Sequence, residues 1–408
     1  MSRGSAFAPL RERNFRWYFA SSSVNLVGNT MAPVALAFAV LEVSDSPGAL
    51  GAVLAANTIP MVLFLLFGGV IADRLPRVLI LRVGSTVLAA TQGAAAYLIL
   101  TDAAELWMLI ALEALNGTVL ALTFPAFAAL LPQLVPRDQL QQANVLAAGA
   151  RGALRILGPT IAAWLVVGAG AGWALAADAL TWLVAGLLLV KVRLPARARS
   201  GEATSTLAEL REGWTLFAGT TWLWVVVLAF ALLNAIHAGA WLTLGPAMAK
   251  ETIGERGWGY ALSAESVGLL ITTVVMMRFR LERPLLAGMI AISAVSLPLV
   301  LLGSTSALLP VVIGALIAGA GIEVFNLGWN LATQEHIEER MLSRAYSYDA
   351  LGSLIAMPVG QLAYGTLAGA FGYREVLVVS GIGYAAIALL TLASPSVRGL
   401  RRAQVAVG

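Results

Sequence analysis

Long apolar runs alternate with short polar stretches from one end of the chain to the other. Between Asp45 and Asp73, for example, no residue carries a charge. A helix that crosses a bilayer needs roughly 20 apolar residues, and the chain divides into segments of that size. There are twelve, at 17–41, 48–72, 79–101, 106–131, 140–168, 171–191, 219–246, 257–277, 285–303, 308–333, 342–368 and 374–394. The eighth is the least uniform, because Glu265 interrupts it. The longest polar interruption, KVRLPARARSGEATSTLAELREGW at 191–214, leaves six segments on either side. The pattern predicts an all-α membrane protein with a six-helix half at 1–190, a central cytoplasmic loop at 191–214 and a second six-helix half at 215–408.

Composition supports the same solvent. The chain is 59% hydrophobic and 12% charged, where soluble domains carry about 25% charge. Forty glycines and sixteen prolines suit membrane helices that pack closely and bend. There is no cysteine, which removes disulfides, thiolate metal sites and cysteine nucleophiles from consideration. The amino-terminal MSRGSAFAPLRERNFRW lacks a short apolar core with a small-residue cleavage site, so it is expected to be a cytoplasmic arm rather than a signal peptide.

The basic residues define an orientation. Lys and Arg accumulate on the cytoplasmic side of membrane proteins. With both termini inside, 21 of the 26 fall in cytoplasmic segments, against three outside (Lys250, Arg256 and Arg374). Arg151 and Arg155 lie within the fifth segment. The high isoelectric point of about 9.6 is thus explained by orientation, and nucleic acid is not an expected partner.

The halves echo each other. LVPRDQLQQANVL (134–146) and HIEERMLSRAYSYDAL (336–351) each join an even segment to an odd one, and at an offset of 202 Gly158 falls on Gly360. Parallel repeats related by an axis along the membrane normal are a transporter design.

The stretch GGVIADRLPR (68–77) lies at the cytoplasmic end of the second segment. With the twelve-segment layout, Gly69, Asp73, Arg74 and Arg77 resemble the signature of the major facilitator superfamily. Pro76 stands where that signature has glycine, and Val78 where a second basic residue is expected. In that family the cluster latches the outward-open state. RILGPTIAAW keeps a Gly158-Pro159 pair that resembles the motif of exporting antiporters, with Ala162 and Ala163 in place of its glycines. Gly-Pro is also a common way to bend a membrane helix. In ALEALNGTV, Glu113, Asn116 and Gly117 fit a family pattern whose first position is usually Arg in drug exporters.

Ionisable groups within spans are costly and mark function. The acids here are Glu113, Asp178, Glu265, Glu323 and Asp349. The resemblance places the first, fourth, seventh and tenth helices around a central cavity, which makes Glu113 and Glu323 the expected proton carriers. A partly desolvated carboxylate can load and release a proton near neutral pH. Arg151 and Arg155, four apart on one helical face, join this proton-coupling set. Arg155 is expected at the depth of Glu113, where their pairing fits either coupling or simple neutralisation. Asp178 and Asp349 are expected to be hydrogen-bonded packing acids, and Glu265 stays open. Asn25, Asn29, Asn234, His237, Trp241, Asn326 and Trp329 are candidate substrate-cavity residues; each also fits a packing role.

The chain shows no phosphate-cradling loop, dinucleotide fingerprint, zinc-helix motif or serine elbow. The expectation is therefore a transporter, not an enzyme, without cofactor or metal, driven by an ion gradient. ALLPQLVPRDQLQQANVL, GPTIAAWL and RAYSYDALGSLIAMPVGQLAYG resemble the enterobactin-exporter and macrolide-efflux branch of the superfamily. That resemblance implies a monomeric, proton-coupled exporter of a drug, siderophore or secondary metabolite in the bacterial inner membrane, with protons, substrate and lipid as its partners. A nutrient uptake facilitator or symporter and a lipid flippase are the alternatives.

Overall fold

The computed structural model describes residues 7–44, 46–74, 76–136, 139–193, 214–276, 278–279, 281–338 and 341–402. At residues 47, 65–74, 124–126, 128–129, 132, 140–141, 145, 343–344 and 347 the description is of the backbone alone. The described residues are helical and contain no strand. The chain divides into two compact units, Met1–Arg199 and Ser200–Gly408.

In the first unit α1 is Arg13–Val43, α2 Pro47–Arg74, α3 Arg77–Leu100, α4 Leu106–Leu130, α5 Leu140–Ala169 and α6 Ala171–Leu189. In the second, α7 is Thr221–Glu251, α8 Gly254–Met276, α9 Pro284–Ser304, α10 Leu308–His336, α11 residues 342–371 and α12 Tyr373–Leu390. Each apolar segment of the sequence coincides with one of these helices. Among the described residues, eleven helices are long and apolar enough to cross a bilayer, and the apolar run Gly48–Phe64 of α2 is a shorter twelfth. Large apolar side chains such as Tyr97, Leu180, Leu309, Val379 and Leu390 stand exposed, as they do on helices solvated by lipid.

Three helices depart from the uninterrupted spans expected. α7 widens into a π-helical turn at His237–Leu244, α9 tightens into a 3-10 turn at Ser293–Val295, and α11 breaks after Leu354 and resumes at Met357. α8, doubtful from Glu265, is continuous. One glutamate is tolerated in a helix whose backbone groups are paired along its own axis.

The pairing of helices repeats. α1 packs on α5 and α6, α2 on α4, and α3 on α4 and α6. In the second unit α7 packs on α11, α8 on α10, and α9 on α10 and α12. Missing side chains permit the closest crossings. A Cβ added at Gly117 of α4 would lie 1.9 Å from the Asn57 carbonyl oxygen of α2, and one at Gly319 of α10 would lie 1.8 Å from that of Glu265 in α8. Gly158 meets Thr30 of α1, and Gly360 meets Ala235 of α7. Gly117 and Gly319 share the 202-residue offset of Gly158 and Gly360, so the echo in sequence is an echo of helix crossings.

Candidate functional site: buried acids at the helix crossings

In the first unit the acid of interest stands one turn before the α2–α4 crossing. Glu113, Asn116 and Gly117 share one face of α4 because three and four residues bring side chains to the same side. Glu113 is 4% exposed. Its Oε2 accepts from Asn57 Nδ2 at 2.7 Å and its Oε1 from Asn116 Nδ2 at 2.9 Å. The hydroxyl of Thr91, on α3, donates to Asn116 Oδ1. Among the described residues this buried carboxylate is met by neutral amides and not by a cation that would hold its charge.

Arg151 and Arg155 are exposed on α5. The expected pairing of Arg155 with Glu113 is therefore corrected: both Glu113 oxygens are satisfied across α2 and along α4 instead. Asn25 is buried on α1 and its Oδ1 accepts from the exposed Asn29 at 2.7 Å. Asp178 on α6 is 0% exposed. Its Oδ1 has only a long 3.5 Å contact from the Thr181 hydroxyl, and its Oδ2 has no partner. Asp178 is thus buried and hydrogen-bonded as expected, but through one weak bond and on one oxygen alone.

In the second unit Glu323 stands one turn after the α8–α10 crossing, half-buried, and its Oε1 accepts from Thr273 of α8 at 2.7 Å. Relative to the equivalent glycines, Glu113 and Glu323 lie on opposite sides of the crossing. Eight residues separate their register, roughly 12 Å along the helix. Asp349, in α11, is hydrogen-bonded on both oxygens, by Trp329 Nε1 at 2.9 Å and Ser353 Oγ at 3.1 Å. Asn234 of α7 donates to the Ser353 carbonyl at 3.0 Å, so two cavity candidates, Asn234 and Trp329, bond to the Asp349–Ser353 turn just before the break in α11. Trp329 also stacks on Phe325, which stacks on Phe230.

Trp241, a cavity candidate that also fitted a packing role, is 2% exposed and packs on Trp258 with ring centroids 4.6 Å apart. Gly245 leaves the space: a Cβ there would lie 2.4 Å from the Trp258 ring. His237 is half-buried at the first residue of the π-helical turn, and Asn326 is exposed on α10. Gly69 is described only by its backbone in α2, the side chains of Asp73 and Arg74 lie outside the described residues, and Arg77 begins α3 half-buried.

Reasoning from sequence missed Asn57, Thr91 and Thr273. The signal was available for Asn57, the only amide between Asp45 and Asp73. Among the described residues no group of three or more His, Cys, Asp or Glu gathers in a way that could hold a metal. The arrangement sets Glu113, Glu323 and Asp349 among neutral hydrogen-bond donors.

Residues 4–404 match the major facilitator family model described as transmembrane secretion effector. The chain is 22% identical over 285 residues to the uncharacterized MFS-type transporter YvqJ of Bacillus subtilis (strain 168), covering 68% of this chain and 67% of that one. Among solved structures, the nucleoside transporter NupG superposes with a TM-score of 0.74 at 14% identity, covering 93% of this chain and 98% of the other. A bacterial homolog of the human lysosomal transporter Spinster superposes at 0.72 with 16% identity, covering 98% and 100%. A bacterial homologue of the iron transporter ferroportin does so at 0.71 with 18% identity, covering 94% and 99%. These relatives are transporters, not enzymes, and the likeness to the solved structures is one of fold. The chain is a multi-pass membrane transporter that belongs to the major facilitator superfamily, in the family described as transmembrane secretion effector.

Proposed function

We propose that the chain is a proton-coupled exporter that exchanges inward protons for an outward small organic molecule by alternating access. The observation that carries this reading is the pair of acids beside the equivalent crossings. Glu113 is held by two amides and Glu323 by a hydroxyl, so each can change charge without breaking an ion pair. Competition between protons and substrate for such an acid yields antiport. A proton moving down the membrane potential supplies about 2.3 kcal/mol per 100 mV. The Gly158-Pro159 pair and the secretion description of the family favour export. The substrate class is a drug, siderophore or secondary metabolite. The family resemblance favours the bacterial inner membrane, the distribution of Lys and Arg favours both termini cytoplasmic, and the family expectation is a monomer.

The test uses everted vesicles carrying the full chain and an interior pH dye. Macrolides, catecholate siderophores and cationic drugs are added in turn under an imposed proton gradient. Export predicts that a transported compound discharges the gradient, and that Glu113→Gln or Glu323→Gln abolishes this while leaving gradient-independent exchange. Unchanged proton-driven transport in both variants overturns the assignment of the acids. Substrate moving with the proton, in the same direction, overturns antiport.

A further inference from the structure

A polar layer crosses the interior of the first unit at the level of Glu113. Three close approaches fix the register of α3 against α6. A Cβ built at Gly186 lies 3.3 Å from Ser85, one at Gly93 lies 3.8 Å from Ala179, and one at Gly172 lies 3.2 Å from Ile99. Gln92 is seven residues from both Ser85 and Ile99, so it shares their α6-facing side at the level of Asp178 and Ala179. From α1, Gly28 reaches the same level: its missing Cβ leaves room for Asp178 Oδ1 and Thr181 Oγ1. Asn25 stands one turn away from Gly28 on α1.

Three atoms of this layer are buried without a hydrogen-bond partner: Asp178 Oδ2, Gln92 Oε1 and Asn25 Nδ2. Gln92 and Asn25 are 7% and 5% exposed. An orphaned buried polar atom is costly, and these three are complementary. An ionised Asp178 accepts hydrogen bonds and matches the Asn25 donor, whereas a protonated one also donates and matches the Gln92 acceptor.

Among the described residues, no cation faces the carboxyl from the helices around it. α1 brings Asn25 and Gly28 to this level and α3 brings Gln92. Arg82 of α3 donates to the carbonyl oxygens of Leu189, Val190 and Val192 at the far end of α6. Arg151 and Arg155 of α5 are exposed. On the other side of α3 the layer runs on to Glu113, an acid, through Thr91, the neighbour of Gln92, and Asn116.

We propose that Asp178 is a further proton-binding site, a switch between Asn25 and Gln92 inside the first unit and coupled to Glu113. Uptake of one proton from the medium forms an O–H bond at Oδ2 that is donated to Gln92 Oε1, whereas the ionised carboxylate accepts from Asn25 Nδ2 instead. Loss of the proton reverses the exchange. The second unit has no counterpart, since the 202-residue offset carries Asp178 to Ser380 and Glu113 to Ala315. This site adds to the coupling scheme above and does not rest on it.

The test is infrared difference spectroscopy between acidic and alkaline buffer on the full chain in lipid nanodiscs, with aspartate carboxyls carbon-13 labelled. The expected result is a labelled protonated-carboxyl band that comes and goes with pH, disappears in Asp178→Asn, persists in Asp349→Asn, and shifts frequency in Gln92→Leu. In Glu113→Gln the same band should titrate at a different pH. A labelled band absent at every pH, or one lost in Asp349→Asn instead, overturns the proposal. Should Asp178→Asn fail to fold, the wild-type chain and Gln92→Leu decide it: a pH-dependent band that Gln92→Leu leaves unmoved overturns it. Transport lost in Glu323→Gln with this band unchanged would separate the two proposals.

Discussion

Asn57 touches α4 twice on the same turn: its side chain donates to Glu113 Oε2 at 2.7 Å, and its carbonyl oxygen fills the space left by the missing Cβ of Gly117. One residue of α2 thus sets both the distance between the helices and the environment of the acid. The backbone contact brings the helices close enough for the short amide to reach the carboxylate. The pattern of Glu113, Asn116 and Gly117 therefore has a physical basis, with acid, partner and crossing point on one face of one helix.

Asn57→Leu should remove the cross-helix donor and leave Glu113 Oε2 unsatisfied in a buried site. The cost is about 1–3 kcal/mol when the acid is ionised. Thermal unfolding in detergent should show the variant less stable than wild type. Adding Glu113→Leu should recover part of the loss, because the orphaned carboxylate is gone. If the two losses simply add, the bond contributes no coupling.

Gly117→Ala and Gly319→Ala should each be severe, since the new methyl would stand 1.9 and 1.8 Å from a backbone oxygen of the facing helix. Separating the helices to relieve such a clash costs at least about 1–3 kcal/mol. Gly149→Ala is the control, a helical position where a Cβ meets nothing within 4 Å. It should be neutral or slightly stabilising, as alanine is favoured over glycine in a helix by roughly 0.5–1 kcal/mol. Expression level and unfolding temperature of the three variants check the order.

Much of this architecture is legible in the sequence, and the exceptions have physical causes. Span positions follow from apolar length, because the bilayer demands about 20 residues whatever their order. The repeat surfaced as Gly158 and Gly360, whose close approaches to α1 and α7 recur in the two units. The π-helical turn of α7 and the break in α11 could not be told from hydropathy, since HAGAWLTL and LIAM each lie inside a long apolar span. The partners of the acids were hidden for another reason. Asn57 and Thr273 lie 56 and 50 residues from the carboxylates they serve, and only the glycine crossings bring them together. Between the two roles open to Trp241, the sequence could not choose, because the space made by Gly245 that lets two indoles pack together shows only in the fold.

Trp329→Phe should separate the two roles of that side chain. Phenylalanine keeps an aromatic face against Phe325, whose ring centroid lies 6.1 Å from that of Trp329, but it lacks the N–H that reaches Asp349 Oδ2. A hydrogen bond between membrane helices is worth about 0.5–2 kcal/mol, so the loss in unfolding free energy should fall in that range. In an Asp349→Asn background the same change should cost less. An equal cost in both backgrounds would show that stacking, and not the hydrogen bond, fixes Trp329.

The wide turn of α7 yields a sharper expectation, because it is held from two sides. Within the turn, the Thr243 hydroxyl donates to the Ala238 carbonyl five residues back at 2.9 Å, matching the π-helical pitch. Against it lies Tyr364 of α11, whose ring would be 2.1 Å from a Cβ on Gly239. The Tyr364 hydroxyl is itself tied to Ser380 of α12, which donates to it at 3.0 Å. The ring is therefore flanked by α7 on one side and tethered to α12 on the other, and it has little freedom to retreat. Gly239→Ala should either destabilise the chain by about 1–3 kcal/mol or force the ring aside and break the Ser380 bond. Adding Tyr364→Ala should relieve the clash, so that Gly239→Ala costs much less in that background than alone. Unfolding temperatures of the two single variants and the double variant decide the matter. If Gly239→Ala is as costly with Tyr364 truncated as with it present, the turn is held by its own backbone and not by the facing ring.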